Sequence, residues 1–267
     1  MASFAADVSK RILAHPGPRA FARTVSDWID LQWSIMLEQL RAVAPRAHGR
    51  LVDVGCGDKP YESIFLPYVT EYIGVEHEAS FNATHASRLE RKPDVIYDGR
   101  TLPFDDQSVD TVLSIQVLEH TPHPQHLLNE MARVLRKGGT MIISAPFSFR
   151  LHEEPHDFFR YTPHGLRMMC ETAGLEVEEI QAQGGFGSVI GHKLNSLLAF
   201  RVAGIQGMAQ ALGKLGHEQK SDVQTRLWAL PVVFPAMGLI SLAARLMDKN
   251  VHEPTEALSF LVIARRN

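Results

Sequence analysis

Hydrophobic residues recur along this chain with two different periods, which separate helical from strand-like segments. Helical spacing runs from Phe21 to Val43, with Ser26 as a candidate N-cap. Two further helices are predicted, at about 124–136 with Gly138 as its C-cap, and at 163–173 between Thr162 and Gly174. Short apolar runs predict strands at residues 51–54, 72–75, 95–97, 109–115, 140–145 and 258–264, and alternating apolar residues predict one at 175–180. Because strands alternate with helices, the pattern predicts an α/β fold with a parallel sheet and crossover helices.

Residues 183–256 differ from the rest of the chain, and they are read as a helical insertion or lid. The pattern divides the chain into an N-terminal helical segment (1–47), an α/β core (48–182), this insertion (183–256) and a final core strand (257–267). Within the insertion, 227–244 carries no charged residue, but it is short for a membrane span and contains Pro231 and Pro235. An internal role is favoured, with contact to a membrane surface or to a second subunit as the alternatives.

Composition places the chain among ordinary globular proteins. It has 267 residues, of which 45% are hydrophobic and 21% charged, and its net charge of -3 gives no sign of nucleic-acid binding. Its two cysteines, Cys56 and Cys170, cannot form a disulfide framework, and no Cys/His spacing predicts a zinc site, so no metal is expected. Since the first ten residues lack the apolar run of a signal peptide, a cytoplasmic location is the default expectation.

The first predicted strand ends in a glycine turn, Leu51-Val-Asp-Val-Gly-Cys-Gly-Asp58. Gly55 and Gly57 allow a tight turn and a close approach of a ligand to the backbone. A dinucleotide fingerprint requires a third glycine where this chain has Pro60, which disfavours NAD or FAD. Pro60 also suits the first position of a helix. A nucleoside ligand without phosphate, such as S-adenosylmethionine (SAM), does not need the third glycine.

The chemistry of a sulfonium nucleoside assigns partners to several residues. A carboxylate that ends the second strand, Glu76, can accept both ribose hydroxyls, although a solvated loop carboxylate is an equally good reading of this residue alone. Asp98, after the third strand, can accept from the adenine amino group. Asp53 and the turn amides from Gly55 to Gly57 can bind the amino-acid end, with a helix N-terminus favouring the carboxylate.

Taken together, these residues make the chain resemble the class I SAM-dependent methyltransferases of the methyltransferase type 11-like group. The resemblance rests on ordered motifs over about 48–182 plus the last strand: Asp53-Val-Gly-Cys-Gly57, Gly74-Val-Glu76, Asp98-Gly-Arg-Thr-Leu-Pro-Phe-Asp-Asp106, Ser108-Val-Asp-Thr-Val112, Gln116-Val-Leu-Glu-His120 and Glu130-Met-Ala-Arg-Val-Leu-Arg-Lys-Gly-Gly139. It implies a Rossmann-like, seven-stranded mixed sheet with helices on both faces. The final strand would be antiparallel beside the fifth, and 183–256 would be inserted between strands six and seven.

The resemblance also implies a cofactor role for each matching position. The methionine end of SAM would lie against Asp53, Gly55, Cys56 and Gly57, and against the backbone of Gln116 and Val117. The ribose and adenine would meet Glu76, His77, Asp98 and Gly99, and His120 would lie near the transferred methyl group. Lys59 departs from the glycine of many relatives, and its side chain is expected to point to solvent.

Residues 151–161, after the fifth strand, supply candidates for the acceptor side. His152, His156 and Tyr161 would lie at the carboxyl ends of the strands, where open α/β sheets bind ligands. A base is needed only if the acceptor must lose a proton, and for any single histidine here the favoured reading is a hydrogen bond that fixes the loop. His120 is the strongest single candidate.

The predicted function is transfer of a methyl group from SAM to a small or medium-sized acceptor. Oxygen is the preferred acceptor atom, with nitrogen and carbon as alternatives. The form of the glycine turn is similar to that of methyltransferases of secondary-metabolite or cell-surface glycan pathways. Two other functions stay open, a regulatory protein that binds SAM without chemistry and a membrane-docked assembly factor; an NAD enzyme is a more distant third.

Overall fold

The computed structural model describes residues 27–83, 92–204, 226–251 and 255–267. The candidate N-cap Ser26 and the first residues of the predicted N-terminal helix lie outside these ranges. Within them, the helices of four or more residues are α1 (Leu31–Val43), α2 (Glu62–Phe65), α3 (Glu78–Ala83), α4 (Pro124–Val134), α5 (Pro163–Thr172), α6 (Phe186–Ser196) and α7 (Leu230–Asn250). Short 3-10 turns cover Ala44–Arg46, Leu118–His120 and Leu227–Ala229, and a π-helical turn follows α6 at Leu197–Val202.

Seven strands form one sheet in the order β3-β2-β1-β4-β5-β7-β6. They are β1 (Arg50–Val54), β2 (Glu71–His77), β3 (Val95–Tyr97), β4 (Val109–Ile115), β5 (Leu135–Pro146), β6 (Leu175–Gln183) and β7 (Ser259–Arg266). The first five pair in parallel, and β7 pairs antiparallel with β5, from Thr140 opposite Arg265 to Pro146 opposite Ser259. The predicted Rossmann-like mixed sheet is confirmed.

The centre of the sheet is covered on both faces, which explains the unbroken apolar runs in its sequence. Successive residues of a strand point to opposite faces of the sheet. Val112 and Leu113 of β4 are both buried, and so are Ile142 and Ile143 of β5, so both faces are covered here. The carboxyl ends of β1, β2 and β4 therefore form a rigid edge on which the loops after these strands are placed.

Two predicted helix ends are wrong, each for a local reason. The helix after the glycine turn does not start at Pro60, because Lys59 has a left-handed backbone (φ 56°) and α2 covers only Glu62–Phe65. Helix α4 ends at Val134 and not at a Gly138 cap, because Leu135 already pairs with Val109 as the first residue of β5. By contrast, the predicted Thr162 cap of α5 is confirmed, since its hydroxyl accepts from the Gly165 amide at 3.0 Å.

The described residues group into two compact units. One holds residues 40–182 and 259–267 and contains the sheet, apart from the last residue of β6; the other holds the described residues up to 39 and those within 183–258. In this second unit, the Asp248 carboxylate of α7 accepts from the Gly185, Gly187 and Ser188 amides at 2.7–3.2 Å and so caps the start of α6. A buried Asn195–Ser241 hydrogen bond of 2.8 Å also joins α6 to α7.

Among the described residues, the stretch Leu227–Asn250 is long and apolar enough to cross a membrane by length and composition alone. Only 28% of its most apolar part is buried. Leu227, Trp228, Val232 and Leu239 are 68–77% exposed. The structure does not bury this helix to the extent that the favoured internal role requires.

Candidate functional site

The glycine turn after β1 contains two glycines, and only one of them, Gly57, has open space above its backbone. Gly55 and Gly57 both have left-handed backbones, with φ of 75° and 52°. A Cβ on Gly55 would lie 2.4 Å from Cγ2 of Val117, so Val117 packs on this glycine. A Cβ on Gly57 would meet nothing within 4 Å. The turn therefore keeps an open space over Gly57, as a ligand that touches the backbone requires.

Glu76 places a buried carboxylate next to that open space. Its Oε2 accepts from the Gly57 amide at 2.8 Å and its Oε1 from its neighbour His77 at 2.9 Å. Burial raises the pKa of Glu76, and these two amide hydrogen bonds oppose the rise. Since a carboxylate offers about four acceptor positions, two remain for hydroxyl donors such as those of a ribose. The structure thus brings together Glu76 and Gly57, which the sequence reading assigned to one ligand.

Asp53 and Cys56 belong to the turn region, but both side chains are buried. Asp53 is 1% exposed, and the Tyr72 hydroxyl donates to its Oδ2 at 2.5 Å. Burial raises the pKa of Asp53 to about 7. Burial also raises the pKa of the Cys56 thiol, which does not suit a nucleophile.

The expectation that Lys59 points to solvent is wrong. Its side chain is buried and its Nζ lies 2.5 Å from Oδ2 of Asp94, which also accepts from the Gly74 amide at 2.7 Å. A Cβ on Gly74 would lie 2.6 Å from Cε of Lys59 and 2.7 Å from Sγ of Cys56. Gly74 is therefore required so that these two side chains can cross β2, and the ion pair with Asp94 holds the ammonium away from the turn.

His77 and Gly99 meet at the ends of β2 and β3. A Cβ on Gly99 would lie 2.4 Å from Nε2 of His77, whose ring also packs edge-on against Tyr97 with centroids 5.7 Å apart. Asp98 is exposed, and its Oδ1 accepts from the Arg100 amide at 2.9 Å, which lowers its pKa. The three residues predicted to meet adenine thus lie together, with His77 as a wall and Asp98 fixing the loop.

The turn after β4 crosses to β5. Gln116 has a left-handed backbone (φ 57°), which is uncommon for a residue with a side chain. Its amide donates to the Ser144 carbonyl at 2.8 Å and its Nε2 donates to the Ser144 hydroxyl at 2.9 Å. This anchoring orients the following residues, so that Val117 covers Gly55 and the turn Leu118–His120 stands at the sheet edge.

The acceptor-side candidates separate into two that face each other and two that do not. The rings of His120 and His152 pack edge-on with centroids 4.7 Å apart. His156 is exposed and contributes its carbonyl, 2.8 Å from Nδ1 of His120. The buried Tyr161 hydroxyl donates to the Leu118 carbonyl at 2.9 Å, and burial raises its pKa, so the structure gives it a bracing contact.

Glu119 is the functional candidate that the sequence reading missed. It stands between the two histidines with a side chain that is 0% exposed, and burial raises its pKa to about 8. Neither carboxylate oxygen has a hydrogen-bond partner. The signal was a carboxylate in the turn directly after a buried strand, but its contact with His152 depends on the distant loop after β5.

Residues 152–160 are held by a buried ion pair. Both carboxylate oxygens of Asp157 receive Arg160 guanidinium nitrogens, at 2.6 and 2.7 Å, and Oδ2 also accepts from the His152 amide at 2.9 Å. These contacts lower the pKa of Asp157 to about 2, against the opposing effect of burial. Asp157 and Arg160 therefore fix this loop.

Comparison with known proteins finds sequence similarity over part of the α/β core. Residues 52–143 match the family model described as a methyltransferase domain. An uncharacterized methyltransferase of Mycobacterium leprae (strain Br4923) is 38% identical over 105 residues, which are 38% of each chain. One from Mycobacterium sp. (strain KMS) is 42% identical over 98 residues, 36% of this chain and 38% of its own. The match thus spans well under half the length of these relatives.

Two solved structures share the fold at low sequence identity. A SAM-dependent methyltransferase from Archaeoglobus fulgidus aligns with a TM-score of 0.51 at 16% identity, over 87% of this chain and 94% of that one. The [4+2]-cyclase SpnF aligns with a TM-score of 0.52 at 17% identity, over 86% of this chain and 79% of that one. Because one of these is a cyclase, the shared architecture alone does not specify a reaction.

Proposed function

We propose that the protein binds SAM and transfers its methyl group to a small or medium-sized acceptor. The match of residues 52–143 to a methyltransferase domain supports this proposal. The observation that carries the cofactor assignment is the open space over Gly57 beside the buried carboxylate of Glu76. Glu76 would hold the ribose hydroxyls, and His77 with Gly99 would bound the adenine. The methionine end would lie along the turn beside Val117.

SAM supplies an activated methyl group on a sulfonium, so the protein has to position the acceptor more than to activate it. The acceptor side is assigned to the turn Leu118–His120 and the loop that carries His152. Oxygen is the proposed acceptor atom, because these two imidazoles and the Glu119 carboxylate form a polar group suited to a hydroxyl. The pathways proposed for such an acceptor are secondary-metabolite or cell-surface glycan biosynthesis, in the cytoplasm.

Calorimetric titration with SAM and with S-adenosylhomocysteine tests the cofactor assignment. Glu76→Ala removes two ribose acceptors from a charged group, so we expect an affinity lower by about 1.5–3 kcal/mol, or roughly ten- to hundredfold. Glu78→Ala, an exposed carboxylate two residues away, is the matched control and should bind as the wild type does. Equal affinity of the Glu76 variant would refute the ribose assignment.

Release of S-adenosylhomocysteine in the presence of hydroxylated acceptors tests catalysis. We expect His120→Ala to lower turnover while SAM affinity stays within twofold, because its ring faces His152 and not the glycine turn. Tight SAM binding without turnover on any acceptor would favour the alternative of a SAM-binding regulatory protein.

We also propose that the exposed apolar face of Leu227–Asn250 contacts a lipid bilayer surface. Its 24 residues are apolar enough for that environment, and the 77% exposed Trp228 stands at its first turn, where an amphipathic aromatic ring suits the lipid–water boundary. Such a contact would bring an apolar acceptor to the protein.

A further inference from the structure

Three potential metal ligands converge at the carboxyl edge of the sheet. Glu119 and His120 lie in the turn after β4, and His152 lies in the loop after β5. Oε1 of Glu119 is 3.8 Å from Nε2 of His120 and 4.0 Å from Nε2 of His152. One ligand atom from each residue lies within 4.8 Å of the other two.

The Glu119 carboxylate is a buried group that a cation would stabilise. Its side chain is 0% exposed and both of its oxygens lack a hydrogen-bond partner. A buried polar group without a partner costs free energy, and a buried carboxylate costs more, so native proteins rarely retain one without a reason. The Arg160 guanidinium, which is paired with Asp157, lowers the Glu119 pKa only in part. Both imidazoles lie within 4.0 Å of the carboxylate, and imidazoles are also ligands for transition metals.

Contacts behind the two histidines turn their Nε2 atoms toward Glu119. Nδ1 of His120 lies 2.8 Å from the His156 carbonyl, and because a carbonyl only accepts, Nδ1 must carry the hydrogen. This tautomer leaves a lone pair on Nε2. Nδ1 of His152 lies 3.3 Å from Oδ2 of Asp157, so this carboxylate stands behind the ring, although the two atoms are not aligned for a hydrogen bond. Backbone carbonyls and carboxylates behind metal-binding histidines have this orienting role.

We propose that Glu119, His120 and His152 bind one divalent transition-metal ion, with Zn²⁺ as the ion of choice. Two imidazoles and one carboxylate form a known ligand set for zinc sites that keep an open position. Bond lengths of about 2.0–2.2 Å and a tetrahedral arrangement place ligand atoms roughly 3.3–3.5 Å apart. The two separations from Glu119, 3.8 and 4.0 Å, exceed this value by about 0.5 Å, and all three lie within 4.8 Å, so metal binding requires the side chains to move closer together.

The open position of such a site would take water or an oxygen of the acceptor. His120 then acts as a ligand through Nε2 and not as a general base. Glu153, which is 72% exposed with Oε2 3.9 Å from Nε2 of His120, stands at the rim of the site. Metal binding goes beyond the proposed methyl transfer and does not depend on SAM, so its test stands even if no acceptor is found.

Titration of the metal-free full chain with Zn²⁺, in the absence of SAM, tests the site by calorimetry. We expect one equivalent to bind with micromolar or tighter affinity, and His120→Ala and His152→Ala each to weaken binding at least tenfold. His164→Ala, an exposed histidine of α5, is the matched control and should bind as the wild type does. Co²⁺ should give the strong visible absorption of tetrahedral coordination in the wild type and in His164→Ala, but not in His120→Ala or His152→Ala.

Thermal unfolding separates loss of the site from loss of the fold. Without metal, Glu119→Gln should melt at the wild-type temperature or above, because the variant removes an unpartnered buried carboxylate. Added Zn²⁺ should raise the melting temperature of the wild type and of His164→Ala but not of Glu119→Gln. The proposal is overturned by the absence of saturable Zn²⁺ binding to the wild type, or by equal affinity in the His152 and His164 variants.

Discussion

At the scale of single residues, the site depends on carboxylates whose surroundings differ although their chain positions look alike. Asp53 and Glu76 both stand near the carboxyl ends of parallel strands. Glu76 accepts two backbone amides, whereas Asp53 accepts the Tyr72 hydroxyl and is almost fully buried. Asp53 therefore acts as a support behind the glycine turn, and the structure leaves Glu76 as the carboxylate with free acceptor positions at the ligand side.

Asp53→Asn should change how stability depends on pH. The folded-state pKa of about 7 lies above the ordinary 3.8, so the folded protein keeps a proton that the unfolded chain releases. Stability contributed by the neutral acid is complete below about pH 4 and is lost as pH rises through 7. Asparagine does not titrate in this range. The free energy of unfolding of the variant should therefore rise relative to that of the wild type between pH 4.5 and 8, by at most roughly 4 kcal/mol.

Urea unfolding at four or five pH values measures this difference. Tyr72→Phe is a useful comparison, because it removes the hydrogen bond that lowers the Asp53 pKa and should make the loss toward high pH steeper. Parallel pH profiles for the wild type and Asp53→Asn would show that Asp53 is ionised throughout.

At the scale of elements, the hydrophobic pattern predicted all seven strands, because buried parallel strands are continuous apolar runs and half-buried strands alternate. The bounds agree to within three residues except at the start of β5, which lies at Leu135 and not at residue 140. The position of β7 beside β5 does not follow from periodicity and came from the resemblance. The helix after the glycine turn was misplaced because left-handed backbone at Lys59, a residue with a side chain, has no sequence signature. The pairing of Glu119 with His152 was missed because it joins two loops whose approach depends on the folded sheet.

Gly74→Ala should destabilise the protein by about 1–3 kcal/mol, the usual cost of overpacking. The new Cβ would lie 2.6 Å from Lys59 and 2.7 Å from Cys56, in the middle of β2. Gly165→Ala in α5 is the matched control, since its Cβ would have only an ordinary contact of 3.4 Å and alanine favours a helix. Chemical denaturation should show the control unchanged or more stable; a neutral Gly74→Ala would mean that Lys59 does not cross β2 there.

At the scale of the whole molecule, the two compact units carry different parts of the proposed function. The unit with the sheet contains the glycine turn, Glu76 and the cluster of Glu119 with His120 and His152. The other unit contains Leu227–Asn250 with its exposed apolar side chains. The sequence predicted 183–256 as a separate helical segment from its change in character. It did not predict the exposure of the helix Leu227–Asn250, because burial depends on neighbouring elements that a hydropathy pattern does not show.

Vesicle flotation of the full chain tests the membrane contact. With vesicles of phosphatidylcholine and phosphatidylglycerol, we expect the wild type to float, because burying exposed apolar surface is favourable at about 25 cal/mol per Å². A variant with serine at Leu227, Trp228, Val232 and Leu239 should stay in the dense fraction. Serine at Leu151 and Met168, which are 62–63% exposed in the other unit, removes exposed apolar side chains elsewhere and should leave flotation unchanged. If the wild type fails to float and sediments as a dimer that the fourfold variant loses, a second copy covers this face and the membrane proposal is wrong.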